Sequence, residues 1–332
     1  MMLHPAVLAL LLTSLLVAAM GLYAGYYGLR ILKSWKLESG SELQLELERR
    51  TSLISTIMSY DLFIQLMSLF LYVYTADSLH PLFTGAMCAA GVLNINQFGY
   101  PLLLLKMLNF LLAGVWLILN YADCRGFDYP LIRVKFELLN LIVPLLLVET
   151  CLLAAYFSGV KPDIITSCCG SLFGHEAVGL GGNLTALPQQ PMQLAFFSVM
   201  SVTFASGVYF YRMGCGGWIF STAAGAAFLI AGASITSFIC LYIYELPTHH
   251  CPFCLLQKEY GYIGYIMYAT LFGGGVAGLG TGALLPFRST GSMVRIIPPL
   301  QRRLTLITVA CYLLFTLITA WKMFSSELRL TF

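Results

Sequence analysis

Residues Pro101 to Ala122 read PLLLLKMLNFLLAGVWLILNYA. A single charge, Lys106, interrupts an otherwise apolar run. Wound as an α-helix at 1.5 Å per residue, 22 residues reach about 33 Å, enough to cross the hydrocarbon core of a bilayer. The run is twice the length a membrane-barrel strand needs, which is about ten residues. Backbone polar groups in lipid must be satisfied internally, so a run of this kind implies a spanning helix.

Seven more runs follow the same rule, at 5–31, 53–75, 137–158, 193–213, 217–244, 255–285 and 304–325. The whole chain of 332 residues is 59% hydrophobic and only 10% charged, where soluble domains carry about 25% charge. The expectation is an all-α polytopic membrane protein of about eight transmembrane helices, with residues 1–332 as one bundle. The first run lacks a basic leader and a small-residue cleavage site, so it is expected to stay as a membrane helix. The net charge of +3 is small and spread over the loops, so nothing points to nucleic acid, and none is expected as a partner. A polar amphipathic linker, Lys33 to Thr51, joins the first two runs.

Basic residues in short loops mark the cytoplasmic side. Arg30, Lys33, Lys36, Arg49 and Arg50 surround the first loop; Arg125, Arg133 and Lys135 the third; Arg212 the fifth; Arg288, Arg295, Arg302 and Arg303 the seventh. The alternate loops are nearly free of Lys and Arg. Both termini are therefore expected outside, in the multi-pass topology of a bacterial cytoplasmic-membrane protein. Loops 76–100, 159–192 and 245–254 then form a cap on the periplasmic side. Charges within the spans are costly and normally paired. Lys106 and Glu149 are the simplest pair; Asp61 has no evident partner.

This topology sorts the ten cysteines. Cys88, Cys168, Cys169, Cys251 and Cys254 fall in or beside the outward loops, where disulfides persist. Cys124, Cys151, Cys215, Cys240 and Cys311 read as small packing residues. The outward set centres on Cys251-Pro252-Phe253-Cys254. A C-x-x-C at a helix start has a lowered thiolate pKa, and Pro252 suits a first turn. The pair reads as redox-active, with a structural disulfide or half of a metal site as alternatives. Cys168 and Cys169, being adjacent, strain the peptide if they bridge each other, and so serve different partners. One could bond Cys88 and the other attack the C-x-x-C disulfide in a relay of mixed disulfides. Alternatively, one is structural and the other packs as a small hydrophobe.

His249 and His250 precede Cys251, while His80 and His175 lie in the other two outward loops. Each outward loop thus carries both Cys and His, which supports a metal site. Tyr260, Tyr262, Tyr265 and Tyr268 line the start of the seventh run as an aromatic belt or as the wall of a crevice. Gly274, Gly278 and Gly282 make a close-packing face, for which the small residues of the sixth run are the natural partner.

Cys251-Pro252-Phe253-Cys254-Leu255-Leu256-Gln257-Lys258 resembles the C-x-x-C-x-x-Gln-Arg region of DsbB-type quinone-linked disulfide oxidoreductases. The vitamin K epoxide reductase family places its C-x-x-C similarly. The resemblance covers about a dozen residues. It implies that Cys251 and Cys254 are the quinone-proximal pair, that Lys258 stands where a basic residue often follows, and that loop cysteines exchange with a thioredoxin-like partner. Tyr260, Gln257 and Lys258 would then adjoin a quinone. Those families use four or five membrane helices, and their loop cysteines are not adjacent.

The expected function is a membrane thiol–disulfide oxidoreductase exchanging electrons between a periplasmic thiol partner and a membrane quinone. Its residues are Cys251, Cys254, Cys168, Cys169 and Cys88. The alternative is a soft-metal, iron–sulfur or haem-binding membrane subunit of a larger complex, with a cytochrome as a possible partner and His249, His250, His175 and His80 as ligands.

Overall fold

In the computed structural model, residues 3–35, 41–161, 165–166 and 187–328 are described, apart from the side chain of Leu43. Among them the secondary structure is helical throughout, with no strand. The elements are α1 (Pro5–Ser34), α2 (Glu42–Leu79), α3 (Ala89–Leu93), α4 (Gly99–Asp123), α5 (Ile132–Gly159), α6 (Gln189–Met213), α7 (Gly217–Ser234), α8 (Cys240–Tyr244), α9 (Ile263–Ala283) and α10 (Met293–Ser325). A π-helical turn, Ile235–Ile239, joins α7 to α8. Among the described residues eight helices, counting Gly217–Tyr244 as one, are long and apolar enough to cross a membrane.

Three boundaries differ from those read in the sequence. α2 begins at Glu42 and absorbs much of the polar linker; Arg50 and Glu46 pair one turn apart on it, at 2.7 Å. α10 begins at Met293 and carries Pro298 and Pro299 within its second turn. These prolines lie past the first turn, so the helix lacks the two N–H groups that would have met the Val294 and Arg295 carbonyls. The run 255–285 starts as a helix only at Ile263.

The chain divides into two compact units, and the division is not sequential. The first comprises Met1–Thr75, Asn96–Lys161 and Pro286–Leu300. Its core joins Val17, Ala24 and Ile31 of α1, Met58 and Leu62 of α2, Trp116 of α4, and Phe136 and Leu146 of α5. Gly21, Gly25 and Gly28 let α1 approach Val143, Asn140 and Phe136 of α5. Without a hydrophobic drive between helices in lipid, small residues of this kind favour association by letting backbones come close.

Buried polar groups are the other signature of this unit. Lys106 and Glu149 form the expected pair at 2.6 Å. Gln65 donates to both carboxylate oxygens, at 2.8 and 2.6 Å, and Asn109 donates to one at 2.6 Å. Lys106 also donates to Ser68, at 3.0 Å. A second pair was not foreseen: Lys135 meets Asp123 at 2.6 Å and donates to Ser55 and Asn120. Lys135 is therefore a buried, neutralised residue of α5 and not a free loop charge. Outside the spans, Asp128 accepts the hydroxyl and, at 3.1 Å, the backbone N–H of Ser292. The Ser292 hydroxyl, more than the N–H, holds the Asp128 carboxyl below its ordinary value.

The second unit comprises Ala76–Ile95, Pro162–Leu285 and Gln301–Phe332. Its spine is the glycine face of α9. A Cβ at Gly278 would stand 2.5 Å from that of Ala224 on α7, and one at Gly275 would stand 2.8 Å from the Phe228 ring. The sixth run is thus the partner of the glycine row, as its small residues imply. Gly274 instead lies under the Tyr312 ring of α10. The Tyr312 hydroxyl reaches on to the Ala224 carbonyl, at 2.9 Å, and so pins α10 to α7.

Candidate thiol site

Two segments of the second unit build the site. The first follows α2, which gives way at Leu79 to a 3-10 turn, His80–Leu82, containing Pro81. The His80 Nδ1 lies 2.5 Å from the Asp77 carbonyl. The Asp77 carboxylate accepts the Ala89 N–H, at 3.2 Å, at the start of α3. Helix end and turn together fix the loop carrying Cys88, whose backbone is extended. Residues Cys88 to Leu93 are buried, so this loop packs as apolar structure. The Thr166 N–H donates to the Thr84 carbonyl, at 3.0 Å, beside Gly85. Gly85 has φ +92°, and the Thr166 carbonyl fills the place of a Cβ.

The second segment is the connection from α8 to α9. Glu245, with φ +56°, ends α8. Leu246–Thr248 are exposed, and the chain turns inward again at His250. Cys254–Leu256 and Lys258–Tyr260 are short 3-10 turns. No α-helix begins at the C-x-x-C; α9 starts at Ile263, nine positions beyond Cys254. The dipole of a helix start acts only within its first turn. The dipole of α9 therefore does not act on Cys251, contrary to what the C-x-x-C spacing implies.

Hydroxyls hold this loop by its backbone. Tyr244 of α8 donates to the Cys251 carbonyl, at 2.6 Å, and Tyr268 of α9 donates to that of Pro252, at 2.6 Å. The Cys240 thiol donates to the same Cys251 carbonyl, at 3.5 Å. His250 is buried, its Nδ1 2.8 Å from the Thr236 carbonyl in the π-turn. A carbonyl only accepts, so Nδ1 carries a proton in this contact. A π-turn displaces backbone hydrogen bonds from the i−4 ladder, and such turns recur at functional sites. Gly264 fits closely against Leu255: a Cβ there would lie 2.8–2.9 Å from its atoms.

These supports bring three sulfurs together. Cys88, Cys251 and Cys254 are buried, and their Sγ atoms lie within 4.8 Å of one another. The Cys88 and Cys251 sulfurs stand 3.5 Å apart. None of the three is in a disulfide. A disulfide needs sulfurs at about 2.05 Å, so a side-chain movement would bring Cys251 within bonding distance of either neighbour, and an oxidant that takes two electrons and two protons would close the bond. The same spacing suits a thiolate-bound metal: ligands at about 2.3 Å around a tetrahedral ion stand about 3.8 Å apart.

The other expected site residues divide as follows. Cys168, Cys169 and His175 lie outside the described residues. Gln257 uses its amide to reach the Met87 carbonyl, at 2.8 Å, and so clasps the Cys88 loop. Lys258 is exposed. Tyr260 packs on the Tyr244 ring with centroids 4.5 Å apart, and His249 packs on the same ring at 4.7 Å. Among the described residues the three-sulfur group includes no histidine. Cys124, Cys151 and Cys215 are exposed, which overturns their reading as core packing. The thiols on the spans and inner loops had one member of functional interest, Cys240. Its spacing of four from Tyr244 puts both on one helix face, but only the fold shows that this face meets Cys251.

Compared with protein-family models, curated proteins and solved structures, the chain finds no match.

Proposed function

We propose that the chain is a membrane thiol–disulfide oxidoreductase whose reactive set is Cys88, Cys251 and Cys254. The observation that supports this reading is the 3.5 Å approach of Cys88 to Cys251 inside a buried three-thiol group. Two thiols, Cys251 and Cys254, give up two electrons and two protons and form one S–S bond. A membrane quinone takes both and becomes the quinol. The Cys88 thiolate then attacks Cys251, a Cys88–Cys251 bond forms, and Cys254 leaves as thiolate. A dithiol partner returns the set to its start: one of its thiolates attacks Cys88 and Cys251 leaves as thiolate, then its second thiolate attacks the partner sulfur of that mixed disulfide and Cys88 leaves, so the partner departs as a disulfide and the three cysteines are thiols again. Cys168 and Cys169 are proposed to link it to a thioredoxin-like partner, and Tyr260, Gln257 and Lys258 to adjoin the quinone. The local resemblance to DsbB-type enzymes supports the same chemistry. The basic loops support an outward-facing site in a bacterial cytoplasmic membrane.

The test is thiol trapping in native membranes. Alkylation and mass analysis would follow Cys88, Cys251 and Cys254 after addition of oxidised or reduced quinone. Shifts of two thiols at a time support the reading. Unchanged redox states, with Ser substitutions silent in a partner-oxidation assay, would sink it.

One observation favours a second reading, a soft-metal site: three buried sulfurs at ligand-like spacing. Cys88, Cys251 and Cys254 would hold the ion as thiolates. Elemental analysis and an optical spectrum of the purified protein separate the readings. Stoichiometric metal with all three cysteines protected from alkylation supports the site; a titratable disulfide without metal supports the oxidoreductase.

A further inference from the structure

Among its described residues the first unit contains one buried charge-bearing group that its two ion pairs do not account for. Lys106 is matched by Glu149 and Lys135 by Asp123, each pair with side-chain hydrogen bonds around it. Asp61 is the remainder. It is 3% exposed, on the buried face of α2, and its Oδ2 has no hydrogen-bond partner among the described residues.

Its place on α2 is specific. Ser55, the Ser59 hydroxyl and the Ser55 carbonyl serve the Lys135–Asn120 group. Gln65 and Ser68 serve the Lys106–Glu149 group. Asp61 lies between them, about 9 Å along the axis from Ser55 and about 6 Å from Gln65. The buried face of one helix thus carries polar groups at Thr51, Ser55, Asp61, Gln65 and Ser68. Among the described residues, the other buried titratable groups of this unit are Lys106 and Asp123 of α4, Lys135 and Glu149 of α5, and Tyr72 and Tyr156. The buried face of α1 bears none.

An unpaired carboxylate in a membrane interior is costly and marks ion or proton traffic. Metal cations need several oxygen ligands; Ca²⁺ takes six to eight and Mg²⁺ six. A proton needs one oxygen, and a carboxyl oxygen without partners can supply it. We propose that Asp61 is a proton-carrying carboxyl within the membrane, taking up and releasing a proton in the polar file between the Lys135–Asp123 and Lys106–Glu149 groups. This inference does not rest on the thiol chemistry.

The experiment uses the full chain in lipid vesicles and a hydrophobic carbodiimide. The reagent adds the O–H of a protonated carboxyl across its C=N bond, and the adduct rearranges to a stable acylurea retained on the peptide. The expected result is one acylurea, mapped to Asp61, whose yield falls as pH rises and does not respond to Na⁺. Asp61→Asn should lose the label, and Asp61→Glu should keep it. In vesicles carrying an imposed potential, wild-type protein should conduct protons and Asp61→Asn should not. If the asparagine variant does not fold, wild-type labelling across pH decides alone. An Asp61 in folded protein that stays unlabelled at every pH overturns the proposal. So does a pH-independent label, or one blocked by Na⁺.

Discussion

The sulfurs of Cys88 and Cys251 stand 3.5 Å apart although 163 positions separate them in the chain. Cys254 shares their neighbourhood. Cys251 is therefore able to choose between two partners, and removing one should commit it to the other. In Cys254→Ser, mild oxidation should give a Cys88–Cys251 disulfide; in Cys88→Ser it should give Cys251–Cys254. Mass analysis of unreduced peptides reads the linkage directly. Free, alkylatable Cys88 and Cys251 after oxidation of Cys254→Ser would show that the pair does not bond.

The carbonyls of Cys251 and Pro252 receive one tyrosine hydroxyl each, but their insurance differs. Cys251 also receives the weak Cys240 S–H donor, whereas Tyr268 is the donor described for Pro252. Leaving a buried acceptor unpaired costs about 1–3 kcal/mol. The Pro252 contact is half-buried, so Tyr268→Phe should destabilise the protein by an amount near the low end of that range, and Tyr244→Phe, whose acceptor keeps the Cys240 donor, by less. Thermal unfolding in detergent, with alkylation of Cys251 as a local probe, measures both. Equal losses would mean that Cys240 gives no support.

Breaking a buried pair leaves an uncompensated charge, at a cost of about 3–5 kcal/mol, while replacing both members by apolar groups is often neutral. Lys106→Met should therefore be severely destabilising. Lys106→Met combined with Glu149→Leu should recover much of the loss, though Gln65 and Asn109 are then left without their acceptor. Denaturation of the single and double variants in lipid decides. A double variant worse than the sum of the singles would contradict this account.

Asp128 carries a pH prediction. Its carboxyl is held below the ordinary value by Ser292 when folded. A depressed carboxyl contributes stability above its unfolded pKa of about 3.9, and that contribution fades as pH falls through the folded value. The difference in unfolding midpoint between wild type and Asp128→Asn should be constant near neutrality and shrink below about pH 4. A difference that persists unchanged in acid would assign the effect to something other than this carboxylate.

The spans were legible in the sequence because lipid demands long apolar helices, and so were the Lys106–Glu149 pair and the glycine face of α9. Helix ends were harder to read. Hydropathy marks where a helix meets lipid and not where its hydrogen bonds stop, so α2 and α10 run on through Glu42–Arg50 and Pro298–Pro299. The C-x-x-C marks Cys251 and Cys254, which the fold gathers with Cys88, but its helical setting was inferred from the apolar residues that follow. Those residues instead form two 3-10 turns. Lys135 was misread as a loop charge because its partner, Asp123, lies across the turn in another helix. Tyr244, Tyr268 and Cys240 could not be found from spacing alone, because their acceptors belong to a connection whose path only the fold defines.

The π-turn at Ile235–Ile239 has a further consequence. It is an α-helix carrying one inserted residue. Each residue turns a helix by about 100°, so everything beyond the insertion is rotated by that angle relative to an uninterrupted helix. Cys240 and Tyr244 lie just beyond it, and both direct their donors at the Cys251 carbonyl. The wall behind the thiols is thus aimed by a single extra residue, and deletion of Ser237 would act as a rotation of that wall, swinging both donors off their acceptor without altering a single residue that touches a sulfur.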